Sequence, residues 1–189
     1  MAATILLLGL LSVACLTDFL QHKVYNWTTY PGILAALGMN ALGSILVATK
    51  AVDPAALYRW GYVGLQASFF GLAICGGILL VCFVAFKVGG GDVKLMAMLG
   101  ALLGPERGIE AMLWTFVLGA CAALIVLIWR VGPWRLATRT LRQVVWTLRL
   151  GVWSPLTPEE RAQLQPPLFL APSALAAVLI VQFRLAEWL

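Results

Sequence analysis

We predict an all-α, polytopic membrane protein with about six transmembrane helices, and three observations carry that prediction. Of the 189 residues, 62% are apolar and only 11% are charged, whereas a soluble domain carries about 25% charged residues. The apolar residues are gathered into runs separated by polar breaks, and a helix needs roughly 20 of them to cross a bilayer. The length of the chain then allows about six such runs, short connections and one longer loop, with no room for a second soluble domain. Residues 1–189 read as a single transmembrane domain.

The runs lie near residues 3–19, 29–48, 61–86, 93–104, 109–129 and 168–186. The first resembles a secretory signal in hydropathy but lacks a basic leading segment and an A-x-A cleavage site, so it is expected to be retained. The fourth, VKLMAMLGALLG, is short for a full crossing at about 1.5 Å per residue. It has to begin below headgroup level, borrow from the glycine run before it, or cross a thinned bilayer.

With six crossings, the loops 20–28, 87–92 and 130–167 share one side with the start of the fourth run. That side holds Lys23, Lys87, Lys94, Arg130, Arg135, Arg139, Arg142, Arg149 and Arg161. The other side holds Lys50, Arg59, Arg107 and Arg184. The richer side is expected in the cytoplasm by the positive-inside rule, with both termini outside.

Segment 130–167 contains WRLATRTLRQVVWTLRLGVW, in which Arg135, Arg139, Arg142 and Arg149 recur at helical spacing opposite Leu141, Val144, Val145 and Leu148. It reads as a basic helix lying on the membrane surface, with Trp134, Trp146 and Trp153 at headgroup level. The net charge of +5 is accounted for there by lipid and topology rather than by nucleic acid. Beyond it, Thr157 is an N-cap and Pro158 a first helical residue. Cys15, Cys75, Cys82 and Cys121 all fall in apolar runs without a C-x-x-C pair, so they read as packing residues and not as a metal site.

Eight carboxylates are present, and Asp53, Glu106, Glu110, Glu159, Glu160 and Glu187 fall in loops or at span ends. Asp18, inside CLTDFL, and Asp92, inside FKVGGGDVKLM, are placed at membrane depth, where ionisable groups are costly and mark function. The span count brings both to the same face. Two carboxylates that share a site hold one proton between them. The ionised one can then take a proton from water while the protonated one donates to a carbonyl oxygen, a chemistry that needs no metal or organic cofactor. The glycines before Asp92 are expected to supply positive backbone angles and close approach.

GGGDVKLMAMLGALLG resembles the G-x-G-D-x-K motif of the type IV prepilin peptidases, the GxGD class of intramembrane aspartyl proteases. TDFLQHKVYNW resembles the first motif of that family, and PPLFLAPSALAA is similar to its final span. The resemblance implies that Asp18 and Asp92 are the catalytic pair, that Gly89 and Gly91 are the motif glycines and that Lys94 is the motif lysine. Tyr25 stands where the family has proline before Asn26, and the final motif lacks its glycines.

Asn26 is read first as a cap of the second helix, with motif support or substrate binding as its other role. Lys94 is read first as an interfacial cation, with biasing Asp92 or touching a substrate carbonyl as its other roles, and His22 as lying outside the proton chemistry. The larger members of the family carry paired C-x-x-C motifs, of which this sequence has none, so it is similar to the short, single-module members that serve tight-adherence (Flp-type) pili.

The resemblance implies a membrane-embedded aspartic endopeptidase of the bacterial inner membrane. It would cleave the leaders of prepilins or pseudopilins at the cytoplasmic membrane face and be involved in pilus assembly or secretion. The alternative is a non-enzymatic scaffold or transporter subunit that uses the two aspartates as a structural or proton-relay pair. Oligomeric state and N-methylation are not readable from the residues.

Overall fold

A computed structural model describes residues 2–21, 24–86, 89–132 and 170–185, together with positions 134, 138, 141 and 145. Among them the secondary structure is helical throughout, with no strand. The chain divides into two compact units, Met1–Leu118 with Phe169–Leu189, and Gly119–Leu168. In the second unit the described positions are the last turns of the fifth helix and helical Trp134, Thr138, Leu141 and Val145. The predicted surface helix otherwise lies outside the described residues, as do Thr157 and Pro158.

The first unit begins with α1 (Ala2–Gln21) and α2 (Asn26–Ala48). A short α3 (Pro54–Trp60) precedes α4 (Leu65–Phe86), and α5 covers Gly90–Val131. The last helix, α6, is Leu170–Gln182. Helix α1 packs against α6, α2 and α3, and α2 packs against α4.

Four stretches are long and apolar enough to cross a bilayer: Ala3–Gln21, Asn26–Ala48, Pro54–Ala85 and Gly90–Trp129. Their outer faces are as apolar as their inner ones: Ile5, Leu20 and Val84 are 71%, 73% and 77% exposed. In water such faces would be costly, and against lipid tails they are not. The protein is a multi-pass membrane protein.

The structure refines the predicted runs at three places. A short helix not predicted from the sequence stands between the second and third runs: Asp53 accepts a hydrogen bond from the Ala55 amide at 3.0 Å, Pro54 takes the first helical position, and Gly61 ends α3 at φ 94°. That is an N-cap, a proline tolerated where no amide partner is needed, and a left-handed C-terminal stop. The last run, predicted over 168–186, is described as helix only for the 13 residues of α6. At about 1.5 Å per residue these cover roughly 20 Å.

The fourth and fifth runs are two helical arms, as their separation in the sequence predicts, parted at Gly104, where φ is 80° and ψ is 178°. Residues eight apart in a straight helix are separated by about 12 Å, yet a Cβ on Gly108 would lie only 3.0 Å from the Gly100 Cα. The chain therefore folds back on itself at Gly104, and Pro105 opens the second arm as a first helical residue.

This geometry explains the short fourth run. Its arm, residues 90–103, is the core of the unit: Leu95, Met96, Met98, Leu99 and Ala101 have no exposed surface. An arm buried in protein on every side has no lipid thickness to match. Contact with α4 is close enough that a Cβ on Gly71 would meet the Gly100 carbonyl, and Ser68 Oγ donates to the Ala101 carbonyl at 2.6 Å. Small residues that let backbones touch, with side-chain hydrogen bonds between helices, hold bundles together where no hydrophobic drive between helices operates.

Candidate active site

One end of the first unit collects the residues singled out in the sequence. Asp18 lies three residues before α1 ends, Asn26 opens α2, and Asp92 is the third residue of α5. Asp18 is 7% exposed. Its Oδ2 accepts a hydrogen bond from the Ala171 amide at 3.2 Å, in the first turn of α6, where helix amides lack partners within the helix and favour an anion. The beginning of α6 is thus tied to the end of α1 across 153 residues of chain.

Asp92 is half-buried. Its amide donates to the Gly89 carbonyl at 3.1 Å, a turn that folds the glycine run under the carboxylate. A Cβ on Gly89 would stand 3.0 Å from Asp92 Oδ2. A Cβ on Gly91 would stand 3.0 Å from the Val24 Cβ and 3.3 Å from its carbonyl oxygen. The Gly91 contact seats the connection between α1 and α2 against the start of α5, so the segments that carry the two aspartates meet.

The glycines serve close approach and not the positive backbone angle expected of them. Among the described residues, the glycines at positive φ are Gly61, Gly64, Gly104 and Gly132, all outside this run. A helix beginning at Gly90 keeps φ negative, so what the motif requires of Gly89 and Gly91 is the missing side chain.

Asn26 and Lys94 are brought together. Lys94 Nζ donates to Asn26 Oδ1 at 2.7 Å and lies 5.1 Å from the centroid of the Tyr30 ring. The capping role read for Asn26 is corrected: Tyr25 occupies the N-cap position, with no side-chain cap, and Asn26 is the first helical residue. At the same helix start Thr28 Oγ1 donates to the Tyr25 carbonyl at 2.7 Å. Tyr25 Oη also donates to Gln21 Oε1, which ties the connection back to α1. His22, Lys23 and Lys87 lie outside the described residues.

Tyr30, Val24 and Ala171 were not singled out from sequence. Tyr30 had a signal, since residues four apart share a helix face and Asn26 precedes it by one such step. Val24 and Ala171 had none, because each contributes through its backbone or its bulk.

The end of the unit that holds the aspartates carries two acids, one buried and one more open, and a cation pinned beside the second. Such a pair can hold one proton and pass it to and from a substrate carbonyl and a water. A family model for the type IV leader peptidase family matches residues 5–124, a stretch that includes both aspartates, Asn26, the glycine run and Lys94. No curated protein and no solved structure matches the chain. The match covers well over half of the sequence, and the chain belongs to the type IV leader peptidase family.

Proposed function

We propose that this protein is an aspartic endopeptidase of the bacterial inner membrane. It removes the leader peptides of type IV prepilins or pseudopilins at the cytoplasmic membrane face, with Asp18 and Asp92 as the catalytic pair and the whole chain as one peptidase domain. What supports the reading is the seating of Val24, in the connection that follows the Asp18 helix, against Gly91 beside Asp92, inside the stretch that matches the family.

In this reading the ionised aspartate takes a proton from water as the water oxygen attacks the scissile carbonyl carbon. The protonated aspartate gives its proton to the carbonyl oxygen. Collapse of the resulting gem-diol breaks the C–N bond, and the leaving amine takes up the proton gained from water. Gly89 leaves space for the Asp92 carboxylate, and Lys94, held by Asn26 and Tyr30, fixes the first turn of α5.

The test is co-expression with a candidate prepilin that carries a basic leader and a following apolar stretch. The native protein converts it to a faster-migrating form on a gel. Asp18→Asn and Asp92→Asn each slow conversion by about 10²–10⁴-fold, the range for loss of a general acid or base. Native-rate processing by either variant, with the protein present in the membrane at its usual level, rejects the pair.

A further inference from the structure

A cavity of about 450 Å³ opens at the other end of the first unit, within the size range of small-molecule sites. It is bounded by the start of α1 at Ala3 and the end of α6 at Gln182, whereas the aspartates lie at the end of α1 and the start of α6. Fifteen residues of helix between Ala3 and Asp18 correspond to about 22 Å, so this cavity is separate from the proposed peptidase site.

Its lining is divided by chemistry. Leu7, Leu102 and Leu103 form an apolar floor, while Glu106 and Arg107, at the fold-back of α5, bring opposite charges to its wall. Both side chains are exposed, and among the described residues neither takes part in a hydrogen bond or ion pair. Tyr58 and Tyr62 add hydroxyl groups, their rings 5.8 Å apart. Next to the cavity, α3 presents Tyr58 and Trp60, both more than 60% exposed, the aromatic pairing with headgroup level seen at membrane interfaces.

We propose that this cavity binds a zwitterionic phospholipid, with the phosphate at Arg107, the ammonium group at Glu106 and the upper part of an acyl chain on the leucine floor. Three features select that occupant. Adjacent opposite charges suit a headgroup that carries both signs, where a purely anionic headgroup would meet Glu106 unfavourably. An apolar floor under a charged wall suits an amphiphile. The ends of bilayer-crossing helices, marked by exposed aromatics, lie where such headgroups are concentrated.

The test uses the full-length protein, delipidated in a mild detergent, with added 1-palmitoyl-2-oleoyl phosphatidylethanolamine. Retained lipid is read by native mass spectrometry and stability by the thermal midpoint. The expected result is one retained phosphatidylethanolamine, a midpoint raised by several degrees, and retention at least fivefold above phosphatidylglycerol with the same chains. Arg107→Gln lowers retention at least fivefold, and Glu106→Gln removes the preference over phosphatidylglycerol. Lys50→Gln, an exposed cation outside the cavity, changes neither. Equal retention of the two lipids by the native protein, or unchanged retention in Arg107→Gln, overturns the proposal. An equal midpoint shift from soluble glycerophosphoethanolamine also overturns it, because the occupant would then be a free phosphodiester and not a lipid.

Discussion

Lys94 holds two residues through interactions of different kinds, a charge-assisted hydrogen bond to Asn26 and a cation–π contact with Tyr30. Both hold the first turn of α5 against the first turn of α2, and Asp92 sits two residues away. Replacing the lysine by methionine keeps its bulk and removes both contacts. A misplacement of about 1 Å can cost up to about 10²-fold in rate, so Lys94→Met should lower kcat for leader cleavage within that range while KM changes less. Single-turnover assays on a purified prepilin would separate the two, and a change confined to KM would mean that Lys94 touches substrate instead.

At Gly91 the constraint is space. Gly91→Val drives a branched side chain toward Val24, 3.0 Å from where its Cβ must stand, and should destabilise by about 1–3 kcal/mol through overpacking, read as a lower thermal midpoint. Asp18, Asp92 and the glycines were legible because the motif is contiguous and acids are rare in an apolar chain. The partnership of Lys94 with Asn26 was not, because 68 residues separate them and no periodic pattern links α2 to α5.

Among the elements, the fold-back of α5 has the clearest single determinant. Gly104 adopts φ 80° and ψ 178° inside a helical stretch, a backbone region essentially restricted to glycine that costs other residues about 1–3 kcal/mol. Gly104→Ala should lower stability by about that amount, measured by thermal unfolding in detergent, and Gly104→Asn by no less, since the tolerance of asparagine for positive φ belongs to the left-handed helical region and not to this one. Gly100→Val should be at least as harmful despite ordinary backbone angles, because Gly71 of α4 blocks the space. If Gly100→Val is as stable as the native protein, the close packing of α4 on the first arm is wrong.

Apolar runs between polar breaks located α1, α2, α4 and α5 from sequence, since length and composition determine them. The signal for α3 was also present, in Asp53-Pro54 followed by Gly61. It was passed over because α3, only 7 residues long, falls in the break between the runs 29–48 and 61–86. The shortness of the fourth run could be read but its cause could not, as burial on all sides depends on helices far away in the chain.

For the molecule as a whole, the two ends of the first unit have different chemistry. The end with Asp18 and Asp92 is proposed to face the cytoplasm, and the end with Lys50 and α3 to face away from it. In a background with Cys15, Cys75, Cys82 and Cys121 replaced by alanine, Lys50→Cys should react with a membrane-impermeant maleimide in spheroplasts of intact cells. Gln21→Cys should react only after lysis. The reverse pattern would place the aspartates outside and reject cleavage at the cytoplasmic face. The two-ended arrangement was readable from the count of basic residues, whereas the cavity was not, because Ala3, Tyr62, Leu103 and Gln182 meet only in three dimensions.

The hydrogen bond from the Ala171 amide to Asp18 also sets an order of events during synthesis. Chains emerge N-terminus first at about 5–20 residues per second, so the 153 residues between the two partners correspond to roughly 8–30 s of translation. Throughout that interval Asp18 has been made but its α6 donor has not. On the function proposed above, the newborn protein stays without this contact of its catalytic pair until the last helix inserts, and a chain interrupted before α6 is expected to leave an unfinished protease in the membrane and not an active one.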